Sequence, residues 1–366
     1  MNKEELNQLL IWATHHKENR LFGRYITIED IEPILNNLPN TFLKTKIGNS
    51  YTGKPIYKIS IGKGTTKILF WSQMHGNEST GTKALFDFFK WLNNKNETAK
   101  NILKQCTLVF IPMLNPDGAS VYSRVNAQHI DLNRDAIDVI APESKLLRKI
   151  LEEENPKFCF NLHDQRTIFS VGNKPATISF LAPSEEQTRK ITEGRKITMS
   201  VISFMYKNLK ELIPGQIGRY TDEFYPTATG DNFQKMGYNT ILIEAGHYND
   251  DYDREIVRKY NFISIVTGVY FIANTNNFLN YEDYLEIPNN EKKYLDVIYK
   301  NVVIKDENKR TDIGVLFKET LKDGKIIFQP TIEIIGNLSE YYANSTIDKN
   351  YKIFNTKSSL INLFNN

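Results

Sequence analysis

The chain has 366 residues, of which 40% are hydrophobic and 24% charged, with a formal net charge of +3. That length and composition suit one large α/β domain with an appendage, able to bury a real core. Charges of both signs are interspersed, so a nucleic-acid partner, which would need a clustered basic stripe, is not expected. The two cysteines, Cys106 and Cys159, sit in apolar runs and read as buried thiols, not as a disulfide framework. The opening MNKEELNQLLIWATHH has acids where a secretion signal needs a basic start. No window approaches about eighteen consecutive apolar residues, so no membrane partner is expected and a reducing cytoplasm is the expected setting.

From about residue 55 strand-length apolar runs alternate with helical patterns. KILFWSQM is a strand, followed by STGTKALFDFFKWL, where Leu85, Phe88, Phe89 and Leu92 recur at helical spacing. CTLVFIPML is the next strand, stopped by the turn signal Asn115-Pro116-Asp117-Gly118. PESKLLRKILEEE opens with a proline suited to a first helical turn, and KFCFNLHD is strand again. SEEQTRKITEGRKITMSVISFMYKNLKEL predicts one long helix, with Ser184 and Gln187 as a capping box. NTILIEAGH is strand and REIVRKYNFISIVTGVYFIAN helix. Continuous apolar strands between helices predict an α/β fold: a mixed, mainly parallel central sheet with helices on both faces. After residue 282 the texture becomes β-rich, with Asp323-Gly324 marking a hairpin. Residues 1–282 are therefore expected to be the catalytic domain and 283–366 a small C-terminal β-rich appendage.

Four of the predicted strands end or turn at residues able to do chemistry. The first ends in His75 and Glu78, the second leads to Arg124, the third ends in His163 and the fourth in Glu244. In open α/β sheets ligands sit outside the carboxyl ends of the strands, so these side chains are expected to converge. His75, Glu78 and His163 form a two-imidazole, one-carboxylate set, a common arrangement for catalytic zinc with one position open to water. Read singly, His75 and Glu78 also suit a helix start and His163 a core position. Glu244 closes an apolar strand, where an unpartnered carboxylate is costly. A general base beside a metal explains it, and a buried pair with an arginine is the competing account. Asp131 is placed to orient a ligating histidine. Asn133 and Arg134 suit a substrate carboxylate, and Arg124 a developing oxyanion.

The order His-x-x-Glu, Asn-Pro-Asp-Gly, arginine, Asp-Leu-Asn-Arg, strand-end His and strand-end Glu resembles the zinc metallocarboxypeptidases of the carboxypeptidase A type, over about residues 45 to 275. The resemblance implies a carboxypeptidase-like fold, as in intracellular bacterial members. It also implies one Zn²⁺ per chain on His75, Glu78 and His163, with Glu244 as general base and acid. Arg124 would polarise the carbonyl, and Asn133 with Arg134 would grip the terminal carboxylate. The family's mobile tyrosine falls on Tyr225 in TDEFYPTATGDNF, with Tyr220 as second choice. Asn77 stands where the digestive enzymes carry an arginine, and the stretch from the Asn-Pro-Asp-Gly turn to Asn133 is shorter than theirs. Asp231 is a candidate selector of basic side chains or, alternatively, a loop cap. Arg166 is a second candidate for selectivity.

The function expected is zinc-dependent hydrolysis of the last amide bond of a peptide, a metalloprotease activity. The substrate would be a peptide or acyl-amino acid with a free carboxylate. A zinc N-acyl amino acid deacylase of the same fold shares the same residues, and a non-catalytic binding module is the rival from another class. No Gly-x-Ser-x-Gly elbow supports a serine mechanism. Oligomeric state is left open by the sequence.

Overall fold

Alternation inside the apolar runs decides the architecture, because successive strand side chains point to opposite faces. A computed structural model describes residues 1–94, 96–306 and 309–364. In chain order the first strands are β1 (Leu43–Asn49), β2 (Pro55–Gly62), β3 (Thr66–Ser72), β4 (Cys106–Ile111) and β5 (Phe158–Asp164). They are followed by β6 (Phe169–Val171), β7 (Lys174–Pro175), β8 (Ile178–Leu181), β9 (Ile217–Arg219) and β10 (Asn239–Ala245). Eight of these form one sheet in the order β1-β2-β4-β3-β5-β10-β8-β9. Its centre, β4-β3-β5-β10, is parallel. β1, β2 and β8 run antiparallel to their inner neighbours and the edge strand β9 runs parallel to β8, so the sheet is mixed around a parallel centre.

Each central strand buries both faces. Ile68 and Phe70 of β3, Phe158, Phe160 and Leu162 of β5, and Ile241 and Ile243 of β10 pack into one core cluster with the helices Thr80–Asn93, Glu193–Lys210 and Glu255–Asn274. Leu69, Trp71 and Cys159 face the other way, against Leu147, Ile150 and Leu151 of the helix Pro142–Glu154. The strands read as unbroken apolar runs because no face meets water. Both cysteines are buried free thiols. Among the described residues Glu255–Asn274 is the one helix long and apolar enough to cross a membrane, yet 72% of that window is buried inside the protein.

The long helix expected from Ser184 is shorter at its start. It begins at Glu193 with Thr192 as its cap, the threonine side chain accepting the Arg195 N–H. The preceding segment bends because buried Arg195 collects carbonyls that a continuous helix would point elsewhere, those of Ala182, Arg189 and Lys190. Ser184 donates to the Asp222 carbonyl instead of capping.

The tail contributes β11 (Glu291–Lys292), β12 (Tyr294–Ile304), β13 (Lys309–Lys322), β14 (Lys325–Gly336), β15 (Tyr342–Asp348) and β16 (Ile353–Phe354). β14-β13-β12-β15 form a second sheet, with β16 also on β12. Lys322 pairs with Lys325 across Asp323 and Gly324, both at positive φ as a two-residue hairpin requires. β11 pairs with β6, and Leu295, Ile298, Leu316 and Leu338 pack on Ile168, just beyond β5.

A charged network ties the amino-terminal segment to the helices. Arg258 is buried, donates twice to Asp87 at 2.7 Å, and donates to the carbonyls of Leu21 and Glu18. Arg258→Met strands a buried carboxylate and is expected to cost about 3–5 kcal/mol in denaturant unfolding. Adding Asp87→Leu should recover most of that loss. A single variant as stable as the parent would show that the pair is not a structural tie.

Candidate metal centre

β3 ends in a tightly constrained turn. Gln73 has a positive φ, and its side-chain amide donates to the carbonyls of Ile26 and Gly76. Beyond it, Gly76 lies so close to the next loop that an added Cβ would stand 2.0 Å from the Gly118 carbonyl carbon. That contact docks the Asn-Pro-Asp-Gly turn beside the His-x-x-Glu turn, which is why position 76 requires glycine. Asn115 reinforces the docking, accepting from the Gly118 N–H at 2.8 Å and donating to the Met74 carbonyl at 3.1 Å. Asp117 reaches back to the Ser50 hydroxyl and the Thr52 N–H.

On this base His75, Glu78 and His163 come together, all buried, with one ligand atom of each within 4.8 Å of the others. His75 Nδ1 is 2.8 Å from Glu78 Oε1, His163 Nδ1 is 2.9 Å from Glu78 Oε2, and the two Nδ1 atoms are 3.2 Å apart. Two zinc–nitrogen bonds of about 2.0–2.1 Å at a tetrahedral angle separate their nitrogens by roughly 3.3 Å, so the spacing fits zinc. The chemistry of the donors fits as well. His75 Nε2 is 3.0 Å from Asp131 Oδ1, which favours a proton on Nε2 and leaves the Nδ1 lone pair for a metal. Arg124 donates to Asp131 at 3.0 Å and approaches Glu78 at 3.4 Å.

Register supplies the fourth member. In the parallel pair β5/β10, Glu244 lies directly opposite His163, so both project from the same face of adjacent strands. Glu244 is half-buried, and its pKa is held well above the ordinary carboxylate value, first by burial and then by the nearby charges of Glu78 and Asp164. Burial alone would also raise Glu78, but the two imidazoles pull it well down. Asp131 is lowered against its own desolvation by His75 and Arg124.

Asn133 is half-buried and keeps its amide NH₂ available, because its side-chain oxygen is taken by the Thr229 N–H. Arg134 is exposed, donates to the Asn133 carbonyl, and places its guanidinium 5.8 Å from the Tyr225 ring. Tyr225 itself is exposed and its hydroxyl donates to Glu223 at 2.7 Å. Tyr220 is the tyrosine beside Glu244, its hydroxyl pushed up by burial and by the charges of Glu244 and Glu78. Asp231 is buried and accepts the Tyr225 N–H at 3.2 Å, which is the loop-capping arrangement. His247 stands outside the triad and bonds Asn344.

Residues 28–136 match the zinc carboxypeptidase family. That match takes in about the first third of the chain, including the His-x-x-Glu, Asn-Pro-Asp-Gly and Asp-Leu-Asn-Arg turns. Carboxypeptidase SOL1 of Arabidopsis thaliana is 30% identical over 131 residues, 32% of this chain and 27% of that protein. Gamma-D-glutamyl-L-diamino acid endopeptidase 1 of Lysinibacillus sphaericus is 33% identical over 123 residues, 31% of this chain and 30% of that protein. The chain thus spans less than a third of either curated relative. A metallo-carboxypeptidase from Burkholderia cenocepacia shares the fold with a TM-score of 0.55 at 14% identity, over 68% of this chain and 69% of that one. His75, Glu78, Arg124 and Asn133 fall inside the matched segment. His163 and Glu244 lie beyond it and reach the same cleft through the fold.

One residue at the site carried a signal that composition reading passes over. Arg254 begins the helix Glu255–Asn274 with a charge of the wrong sign for a helix N-terminus. It is buried, pairs with Asp164 at 3.1 Å, and donates to the carbonyls of Ala245 and Gln165, the residues just past Glu244 and shortly past His163.

Asp231 supplies a pH test. Burial pushes its carboxyl up to about 6, against the pull of the Tyr225 N–H and Arg134. A carboxyl raised on folding contributes stability that is full below about pH 4 and lost as pH rises through 6. Asp231→Asn keeps an acceptor and never ionises, so it should match the parent near pH 4 and exceed it at pH 8, by at most roughly 3 kcal/mol. Thermal melts of both proteins across that range check this. Coincident melts at pH 8 would refute it.

Proposed function

We propose that the chain is a zinc-dependent metallopeptidase that cleaves the amide bond next to a free terminal carboxylate. The observation that carries this reading is the meeting of His75, Glu78 and His163 in one buried cluster with Glu244 opposite His163. A zinc ion held by those three would act as a Lewis acid toward the scissile carbonyl and its attacking water.

The chain's own groups divide the remaining work. Glu244 takes the proton of the attacking water and returns it to the leaving amine, a task suited to a carboxylate whose pKa is raised by burial. Arg124 faces the oxygen on which charge develops, while Asp131 holds both Arg124 and the His75 ring in place. Asn133 and Arg134 bind the substrate carboxylate, with Tyr225 covering Arg134. Residues 1–282 form the catalytic unit in this reading, and 283–366 close one side of its cleft.

The deacylase alternative gains weight from one feature, since strand β13 of the C-terminal sheet lines the cavity beside Glu78 and Arg124. A short acyl group would fit that arrangement as well as a peptide. Dipeptides, γ-linked peptides and N-acyl amino acids, each with a free or amidated carboxyl end, separate the two readings.

Glu244→Gln should lower kcat by about 10²–10⁴-fold with zinc content unchanged, whereas His163→Ala should lose the metal. Chelation should abolish hydrolysis reversibly. Metal analysis and release of one terminal residue provide the measurements. Turnover retained in Glu244→Gln would remove the assignment.

A further inference from the structure

The cleft has a second half that the peptidase reading leaves unused. A cavity of about 490 Å³ opens beside Glu78 and Arg124, within the range of small-molecule sites. Asn133, Arg134 and Asp231 do not line it, so it is distinct from the carboxylate grip, with Arg124 at its edge. In a hydrolase that grips the departing residue by its carboxylate, a separate cavity touching Glu78 and Arg124 is the space left for the acyl part of the substrate.

The far wall of this cavity comes from the C-terminal sheet, through Leu316–Glu319 of β13 and Thr331 and Glu333 of β14. The wall is pinned in place. Glu319 makes an ion pair with Arg24 at 2.7 Å and accepts from the Tyr122 hydroxyl. Asp296 of β12 accepts the Phe317 N–H at 2.6 Å and the Tyr252 hydroxyl at 2.8 Å. A subsite built on β13 therefore has a fixed position relative to Glu78.

Charge then decides what the subsite prefers. Most ionic groups around the cavity are already satisfied. Arg24 is held by Glu319, Arg254 by Asp164, and Arg124 by Asp131 and Glu78. Asp296 is buried with both oxygens engaged, and burial raises its pKa, so it offers little negative charge to the cavity. Two cations are held weakly or not at all. Lys318 is exposed and has no ion pair among the described residues. Arg166, its side chain 67% exposed, has one long, solvent-screened ion pair, to Glu333 at 3.6 Å, too long for a hydrogen bond. Both line the same cavity, one from the C-terminal sheet and one from the loop after His163.

We infer that Lys318 and Arg166 are specificity-determining residues that bind a carboxylate on the acyl part of the substrate. The substrate class is then a peptide or acyl-amino acid whose acyl group is itself acidic, with one carboxylate at each end of the scissile amide. This inference deepens the proposed function and rests on it for the orientation of the substrate.

The test uses the full-length zinc-loaded chain carrying Glu244→Gln, so that ligands survive titration. An N-succinyl amino acid and its succinamoyl counterpart, identical except for a neutral amide in place of the distal carboxylate, are titrated calorimetrically. The acidic ligand should bind at least about tenfold more tightly, as a charge-assisted contact allows, with the margin shrinking as salt rises. Adding Lys318→Gln and Arg166→Gln should reduce the difference to under about threefold, while Lys318→Arg should preserve it. Equal binding of the two ligands, binding of neither, or full selectivity in the doubly substituted protein overturns the subsite. Hydrolysis of the same ligands, and of dipeptides and γ-linked peptides with a free carboxyl end, by the unsubstituted chain is scored separately. Selectivity without hydrolysis would sink the peptidase reading and leave the subsite standing, and hydrolysis without selectivity would do the reverse.

Discussion

Crowded carboxylates at the ends of three parallel strands are the constraint from which the rest of this cleft follows. Glu78, Glu244 and Asp164 share one poorly solvated space, and each raises the cost of ionising another. The protein meets that cost with fixed partners. Two imidazoles turn toward Glu78, and Arg254 takes Asp164 while gripping the backbone beyond both strand ends. Thr80 adds its hydroxyl and N–H to Asp164, and the Asp164 N–H donates to Glu78. Among the described residues Glu244 is left as the carboxylate without such a set of partners, and burial beside Glu78 and Asp164 raises its pKa. A divalent cation among the three ligand atoms would relieve the same crowding, so the charge balance and the donor geometry point the same way.

The turns around the site work as a clamp because small residues let two loops touch. Gly76 and Gly118 meet backbone to backbone, which brings the Asn115 side chain onto the Met74 carbonyl and seats the chain just before His75. Asp131 extends the clamp from a third loop by fixing the His75 ring and Arg124 together. Three loops thereby hold the chemistry on a sheet whose register is set by buried apolar side chains on both faces. A slip of one residue between β5 and β10 would turn Glu244 away from His163 and expose its apolar neighbours.

The C-terminal sheet is part of this arrangement. It packs on Ile168 in the loop after β5, follows directly on β11, which pairs with β6, and sends Glu319 into the buried pair with Arg24 from the chain's amino-terminal segment. Residues from both ends of the chain thus meet at the cleft that the central residues build. Desolvated ion pairs at such junctions fix geometry more than they add stability, because their attraction is spent against the cost of leaving water.

Motif spacing and strand-end chemistry determined a good deal without coordinates: the apolar strands, the helices between them, the Asp323-Gly324 hairpin, and the grouping of His75, Glu78, His163 and Glu244 as candidates. These signals are local, since period, turn residues and the cost of an unpartnered buried carboxylate are all written within a few positions. Other features depended on contacts far apart in the chain. The helix from Ser184 starts late because Arg195 gathers carbonyls from three separate residues. Tyr220, not Tyr225, stands beside Glu244, and Asp231 serves the Tyr225 loop. Arg24, Arg254 and Glu319 read as ordinary surface charges until burial pairs them. Whether the tail was a bystander or a wall of the cleft was a question of packing, and packing is decided by which faces meet, a property that no short stretch of sequence contains.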